Sequence, residues 1–176
     1  MVFSCGGSKK DISIVEVDAT LLPSMRTENA SELISDSGIT RYRIEADLWL
    51  VYSDVKEPYW HFPEGFHLER FDSLLNVELI IEADTVYYYQ EKGLWKAINN
   101  VFIQSLEGNT VETSELFYNE KVDPDSRNAI YTDKFVRINQ GTRVHTGNGM
   151  RSNASLSDWR MYSSSHELEI EENGEK

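Results

Sequence analysis

A single cysteine, Cys5, is present in the chain, which excludes a disulfide framework and a cysteine-rich zinc site. Basic residues are few: 17 Lys and Arg stand against 30 Asp and Glu, and the net charge is −13. Nucleic acid is thereby excluded as a partner, because its phosphates need Lys and Arg, and so is adhesion to anionic headgroups by charge alone. No run approaches the roughly 18 apolar residues that a membrane-crossing helix requires. There is no glycine-rich phosphate loop and no Gly-x-Ser-x-Gly nucleophile elbow. Acidic residues are plentiful, and two could in principle flank a glycosidic bond, but nothing singles out a pair. Without a recognisable set of nucleophile, base and orienting group, the sequence points away from catalysis and implies no cofactor.

Segments with helical period are missing as well, and alternation fills the chain instead. At 176 residues it is long enough for one domain with a real core. The cleanest alternation is in residues 39–52, where Tyr42, Ile44, Ala46, Leu48, Leu50 and Tyr52 fall on one face. Arg41, Arg43, Glu45 and Asp47 fall on the other, so a strand with one buried face is expected. Residues 75–89 repeat the pattern, with Val77, Leu79, Ile81, Ala83, Thr85 and Tyr87 together. Trp95, Ala97, Val101 and Ile103 share a side in residues 95–105, and Ile130, Val136 and Ile138 share one in 129–138.

The stretch 108–138 is two β-rich halves around a loop with Pro124, two Asp and Ser126, which predicts a hairpin. Shorter strands are expected at 11–17 and 31–35, with a loop over 19–27 around Pro23. Residues 59–71 read as two short strands split by Pro63-Glu64-Gly65. A last weak strand signal runs through Trp159, Met161, Leu168 and Ile170. Strand following strand across short turns predicts a sheet closed, or nearly closed, on itself.

Three local features bear on function. His61 and His67, near Glu64 and Glu69, make a metal site conceivable, but no third ligand stands at a recognisable spacing, so no metal is expected. Gly147-Asn148-Gly149 marks a bulge, or alternatively a place where two backbones approach closely at a strand edge. Val2-Phe3-Ser4-Cys5 followed by Gly6-Gly7-Ser8 reads either as the end of a lipoprotein signal with Cys5 lipidated, or as a free cysteine in a frayed terminus. The expected organisation is a tether over 1–10, one β domain over 11–170 and a disordered acidic tail over 171–176.

In order along the chain, Arg26-Thr27-Glu28-Asn29, Ser35-Asp36-Ser37-Gly38 and the strand through Ala46-Asp47 resemble the opening of the LptC family. Trp60-His61-Phe62-Pro63-Glu64-Gly65-Phe66 resembles a segment of its Bacteroidetes-type members. Val111 to Asn119, followed by Ile130-Tyr131-Thr132-Asp133, resembles the family's central hairpin, and Gly147-x-Gly149-Met150-Arg151-Ser152 its closing glycine motif. The likeness covers roughly residues 25–156.

The resemblance implies a single-domain, all-β twisted antiparallel β-jelly roll of the LptA/LptC kind. It implies a periplasmic component of lipopolysaccharide export, with acyl chains held in an apolar groove. The implied partners are lipopolysaccharide, an inner-membrane ABC transporter and an LptA-type bridge protein joined by edge-strand pairing. Family members commonly carry one transmembrane helix; here a lipidated Cys5 would replace it as an inner-membrane anchor. Ile44, Leu48, Leu79, Ile81, Val101, Ile103, Val136 and Ile138 are the candidate lipid-facing residues, and Gly149 the candidate docking residue. Since a chain at −13 cannot hold an anionic lipid mainly by charge, it would hold the acyl chains, at about 0.8 kcal/mol per buried CH₂. A different class of function stays open beside this one: a surface lipoprotein binding glycan or protein through an aromatic patch of Trp49, Tyr59 and Trp60.

Overall fold

The structure, a computed structural model, describes residues 22–36 and 38–168. Its strands are β1 (Met25–Asp36), β2 (Ile39–Tyr52), β3 (Tyr59–Phe71), β4 (Val77–Ala83), β5 (Thr85–Tyr89), β6 (Leu94–Ser105), β7 (Thr110–Asn119), β8 (Ile130–Gln140), β9 (Arg143–Ser152), β10 (Trp159–Met161) and β11 (Ser164–Leu168). They form one antiparallel sheet in the order β1-β2-β3-β4-β6-β7-β8-β9-β10, with β5 between β3 and β6 and β11 against β9. The described residues are all-β, and the expected hairpin is β7–β8. Among the described residues no helix is long and apolar enough to cross a membrane. The predicted strand at 11–17, the tether with Cys5 and the tail at 171–176 lie outside the described residues.

Two elements differ from the sequence reading. β1 runs unbroken from Met25, where a loop and then a five-residue strand were expected, because its residues pair one after another with strongly alternating β2. β3 continues through Pro63-Glu64-Gly65 instead of splitting there. Its far edge is divided, with β5 paired to Tyr59 to Phe62 and β4 to Phe66 to Phe71, and its register with β2 slips at the same level. Pro63, which has no N–H to offer a ladder, sits in the gap between them, and the Gly65 N–H reaches the Asp84 carbonyl at 3.0 Å.

That gap belongs to a crease that crosses the sheet from the β2–β3 ladder to the β8–β9 ladder. The register slips between Leu48 and Leu50 on β2, between Ile98 and Val101 on β6, between Thr113 and Phe117 on β7, and between Thr132 and Phe135 on β8. Asp84 separates β4 from β5 at the same level, and residues 162–163 separate β10 from β11. Left-handed backbone follows this line: Asn29, Gly65, Asn99, Asn100, Gly149 and Ser163 all have positive φ. Bulges bend strands and raise their twist, so a row of them folds the sheet over. Two leaves result. The first holds the strand segments toward the β1–β2, β3–β4, β6–β7 and β8–β9 turns; the second holds the segments toward the β2–β3, β5–β6 and β7–β8 connections.

The leaves bury one apolar cluster between their inner faces, including Ile44, Phe62, Leu68, Val86, Ile103, Leu116, Val136 and Met150. Phe66 of the first leaf reaches Trp95 of the second, with ring centroids 6.2 Å apart.

Candidate functional site

Between the leaves lies a crevice lined by Tyr42, Phe66, Leu68, Arg70, Leu79 and Ile81 from the first leaf. The second leaf contributes Val86, Trp95, Ala97, Leu116, Tyr118 and Ile130. Its free volume is ≈ 40 Å³, room for a few waters, each needing about 10–15 Å³ on such a measure. The inner faces therefore meet as a packed apolar seam, and a guest would have to part them.

Every candidate lipid-facing residue points to this interior. Ile44, Leu48, Leu79, Val101, Ile103, Val136 and Ile138 are buried, and Ile81 is half-buried and packed against the core. All of them lie on the first leaf or at the crease, and of the eight Leu79 and Ile81 line the crevice itself. Of the second-leaf wall, Trp95, Ala97 and Ile130 were read on the inward faces of their strands, while Val86, Leu116 and Tyr118 were missed where the bulges invert the alternation. On β2, Leu50 and Tyr52 were expected inward; Trp49 packs on the core instead, and Tyr52 stacks outside on Tyr59 at 4.7 Å. On β5 Val86 is buried, and Tyr87, expected inward, stacks outside on His61 at 4.3 Å.

The side of the seam opposite the crease is closed by polar groups. The Tyr42 and Tyr118 hydroxyls face each other there, with the Arg70 guanidinium beside them. Arg70 donates from Nη1 to the Ala154 carbonyl of the second leaf at 3.0 Å, and from Nε to Glu78 Oε2 at 3.1 Å. Its side chain is 14 % exposed, so these partners answer most of a nearly buried charge. Burial, then the neighbouring Tyr118, pushes the Tyr42 phenol up to about 12; burial also raises Tyr118. Just beside them the Tyr88 hydroxyl donates to Glu120, and Trp95 Nε1 donates to the same carboxylate at 3.3 Å. Burial first, then this bond to Glu120, raises the Tyr88 phenol. Outside the closure opens a wet vestibule of ≈ 490 Å³ between Ile34, Arg41, Phe71 and Glu78 on one wall and Tyr88 and Glu120 on the other. Tyr42 and Arg70 line both spaces.

The remaining candidates fall elsewhere. Trp49, Tyr59 and Trp60 do not make one surface patch: Trp49 and Trp60 pack against the core with centroids 5.0 Å apart, and Tyr59 is on the outer face with Tyr52, Tyr87 and Tyr89. His61 stacks on Tyr87, and His67 Nδ1 lies 3.2 Å from Glu82 Oε1, so the two histidines have separate surroundings. Among the described residues no group of three or more His, Cys, Asp and Glu could hold a metal ion. Gly149 is buried within β9 at φ +83°, and the Tyr162 N–H donates to its carbonyl at 3.0 Å. The free edge on that side of the sheet is therefore β10–β11 rather than the strand that carries Gly149.

Against known proteins, the family described as "Lipopolysaccharide-assembly, LptC-related" matches residues 23–166. No curated protein matches the chain.

Proposed function

This chain belongs to the LptC-related family of lipopolysaccharide assembly, and we propose that it is a non-enzymatic lipid carrier of the export bridge, taking the acyl chains of lipopolysaccharide between its two leaves. Its place in lipopolysaccharide transport and in the periplasmic envelope follows from the family. The observation that carries the finer reading is the apolar seam with a polar closure across from the crease. Such a seam suits an amphiphile, with the chain inside and the head left at the vestibule. Ten methylenes moved from water into the seam would gain about 8 kcal/mol, against about 1.5–3 kcal/mol for each bond of the charged Arg70 given up.

In this reading the carrier receives lipid from the inner-membrane ABC transporter and passes it to an LptA-type bridge protein. Among the described residues the sheet ends in β1 on one side and in β10–β11 on the other, and strand edges of this kind suit strand addition. Lipidation of Cys5 would hold the carrier at the inner membrane, and stable anchoring would take more than one acyl chain.

The test is a photoreactive residue placed at Ile81, on the seam, and another at Tyr87, on the outer face. Ultraviolet crosslinking in cells is expected to attach lipopolysaccharide at position 81 and not at 87. Equal labelling, or none at 81 in a folded protein, would remove the carrier reading.

A further inference from the structure

Building on the lipid-carrier reading, we propose that Tyr42, Arg70 and Tyr118 form a clasp that must open before an acyl chain passes between the leaves, and that amphiphiles with hydrogen-bond acceptors in their heads open it. Position is the first argument. The clasp lies across the seam from the crease, where the ladder is interrupted on strand after strand. A fold line on one side and a few polar bonds on the other are the parts of a hinged pair of plates.

Space is the second argument. The seam holds ≈ 40 Å³ and the vestibule ≈ 490 Å³, and Tyr42 and Arg70 stand between them. A head group has room outside the clasp, whereas a chain has none inside until the leaves part. Chemistry is the third. Breaking the bond of Arg70 to Ala154 without replacement would leave part of a guanidinium that is 14 % exposed unanswered, and an unmet buried donor is costly. Phosphate, carboxylate or sugar oxygens at the vestibule can take those donors over as the leaves separate. A purely apolar guest cannot.

Stopped-flow uptake of 11-(dansylamino)undecanoic acid by the full chain tests this. The Tyr42→Phe/Tyr118→Phe double variant keeps both rings and removes both hydroxyls from the closure. It is expected to take up the probe about three- to tenfold faster than wild type, the ratio one lost hydrogen bond corresponds to. Tyr87→Phe, on the outer face, should match wild type. Should the double variant lose its cooperative melt, Arg70→Lys, which keeps the charge but loses the fork, carries the same comparison. N-phenyl-1-naphthylamine, which has no acceptor head, should gain more from the clasp variants than the dansyl acid does. Unchanged rates in folded clasp variants of a protein that takes up the probe would overturn the clasp alone. Equal gains for the two probes would overturn its preference for acceptor heads. No uptake by any form would overturn the clasp together with the carrier reading.

Discussion

At Gly147 an added methyl group would meet Met161 Sδ at 2.6 Å, Met161 Cγ at 2.7 Å and the Tyr162 carbonyl oxygen at 2.9 Å. The thioether can move aside, but the carbonyl belongs to the backbone of the strand that covers β9. Gly147→Ala is therefore expected to destabilise the fold by about 1–3 kcal/mol, as overpacking does, read by chemical denaturation. Gly149 differs in cause: its φ of +83° places it where L side chains are strained, with Tyr162 Cδ2 at 3.2 Å from a built Cβ. The close backbone approach that the sequence suggested at these glycines exists, but its second backbone is residues 159–163 of the same chain. That strand was hard to read, because it is short and broken, so the glycines pointed outward to a partner. An unchanged denaturation midpoint for Gly147→Ala would show that the covering strand yields freely.

The strands share a rule that explains where period two succeeds and where it fails. Crossing the crease, β6 steps from Ala97 to Val101 and β8 from Thr132 to Val136, four residues between buried positions. The strands between and beside them step by three: Ala83 to Val86 across β4 and β5, and Gly147 to Met150 on β9. A step of four preserves the inward parity, and a step of three inverts it. Hence the inner face of β6 and β8 was legible along the whole strand, and that of β2 and of β4–β5 only up to the crease. Tyr52 and Tyr87, alternating correctly by sequence, end outside for this reason. The rule makes β6 testable. Deleting Asn100 would turn the four-residue step into three and drive Val101 and Ile103 outward. At about 1.5–3 kcal/mol for each buried aliphatic side chain, that loss rivals the 5–15 kcal/mol that hold a domain together. The deletion is expected to abolish the cooperative melt. Asn99→Gly, at φ 60°, keeps the step and relieves a left-handed non-glycine, so its melting temperature should stay level or rise. A deletion variant that melts like wild type would break the rule.

On the scale of the whole molecule, the polar closure couples stability to alkaline pH. The Tyr42 phenol is raised from 10.0 to about 12 in the fold, with burial as the main cause, and Tyr118 moves the same way. Above the unfolded value the unfolded chain gives up these protons while the folded chain keeps them, so the folded state binds more protons and stability falls as pH rises. The loss should begin near pH 10 and run to about pH 12, and Tyr42→Phe should flatten it relative to wild type in melts taken across that window. A slope unchanged by the substitution would place the alkaline loss in other tyrosines. An all-β sheet around one core could be read from alternation and turn chemistry. The division into leaves could not, because it rests on small register slips that no single strand announces. The leaves also set where the strand path starts and stops. β1 begins with Met25 beside Val51, at the rim of the second leaf, and β11 ends with Leu168 beside Arg143, at the rim of the first. Each rim thus carries one end of the path, like the two handles of a pair of tongs. If the leaves part as proposed, tension between those handles would act on the seam between them, and a tether at either one would become a mechanical input to its opening.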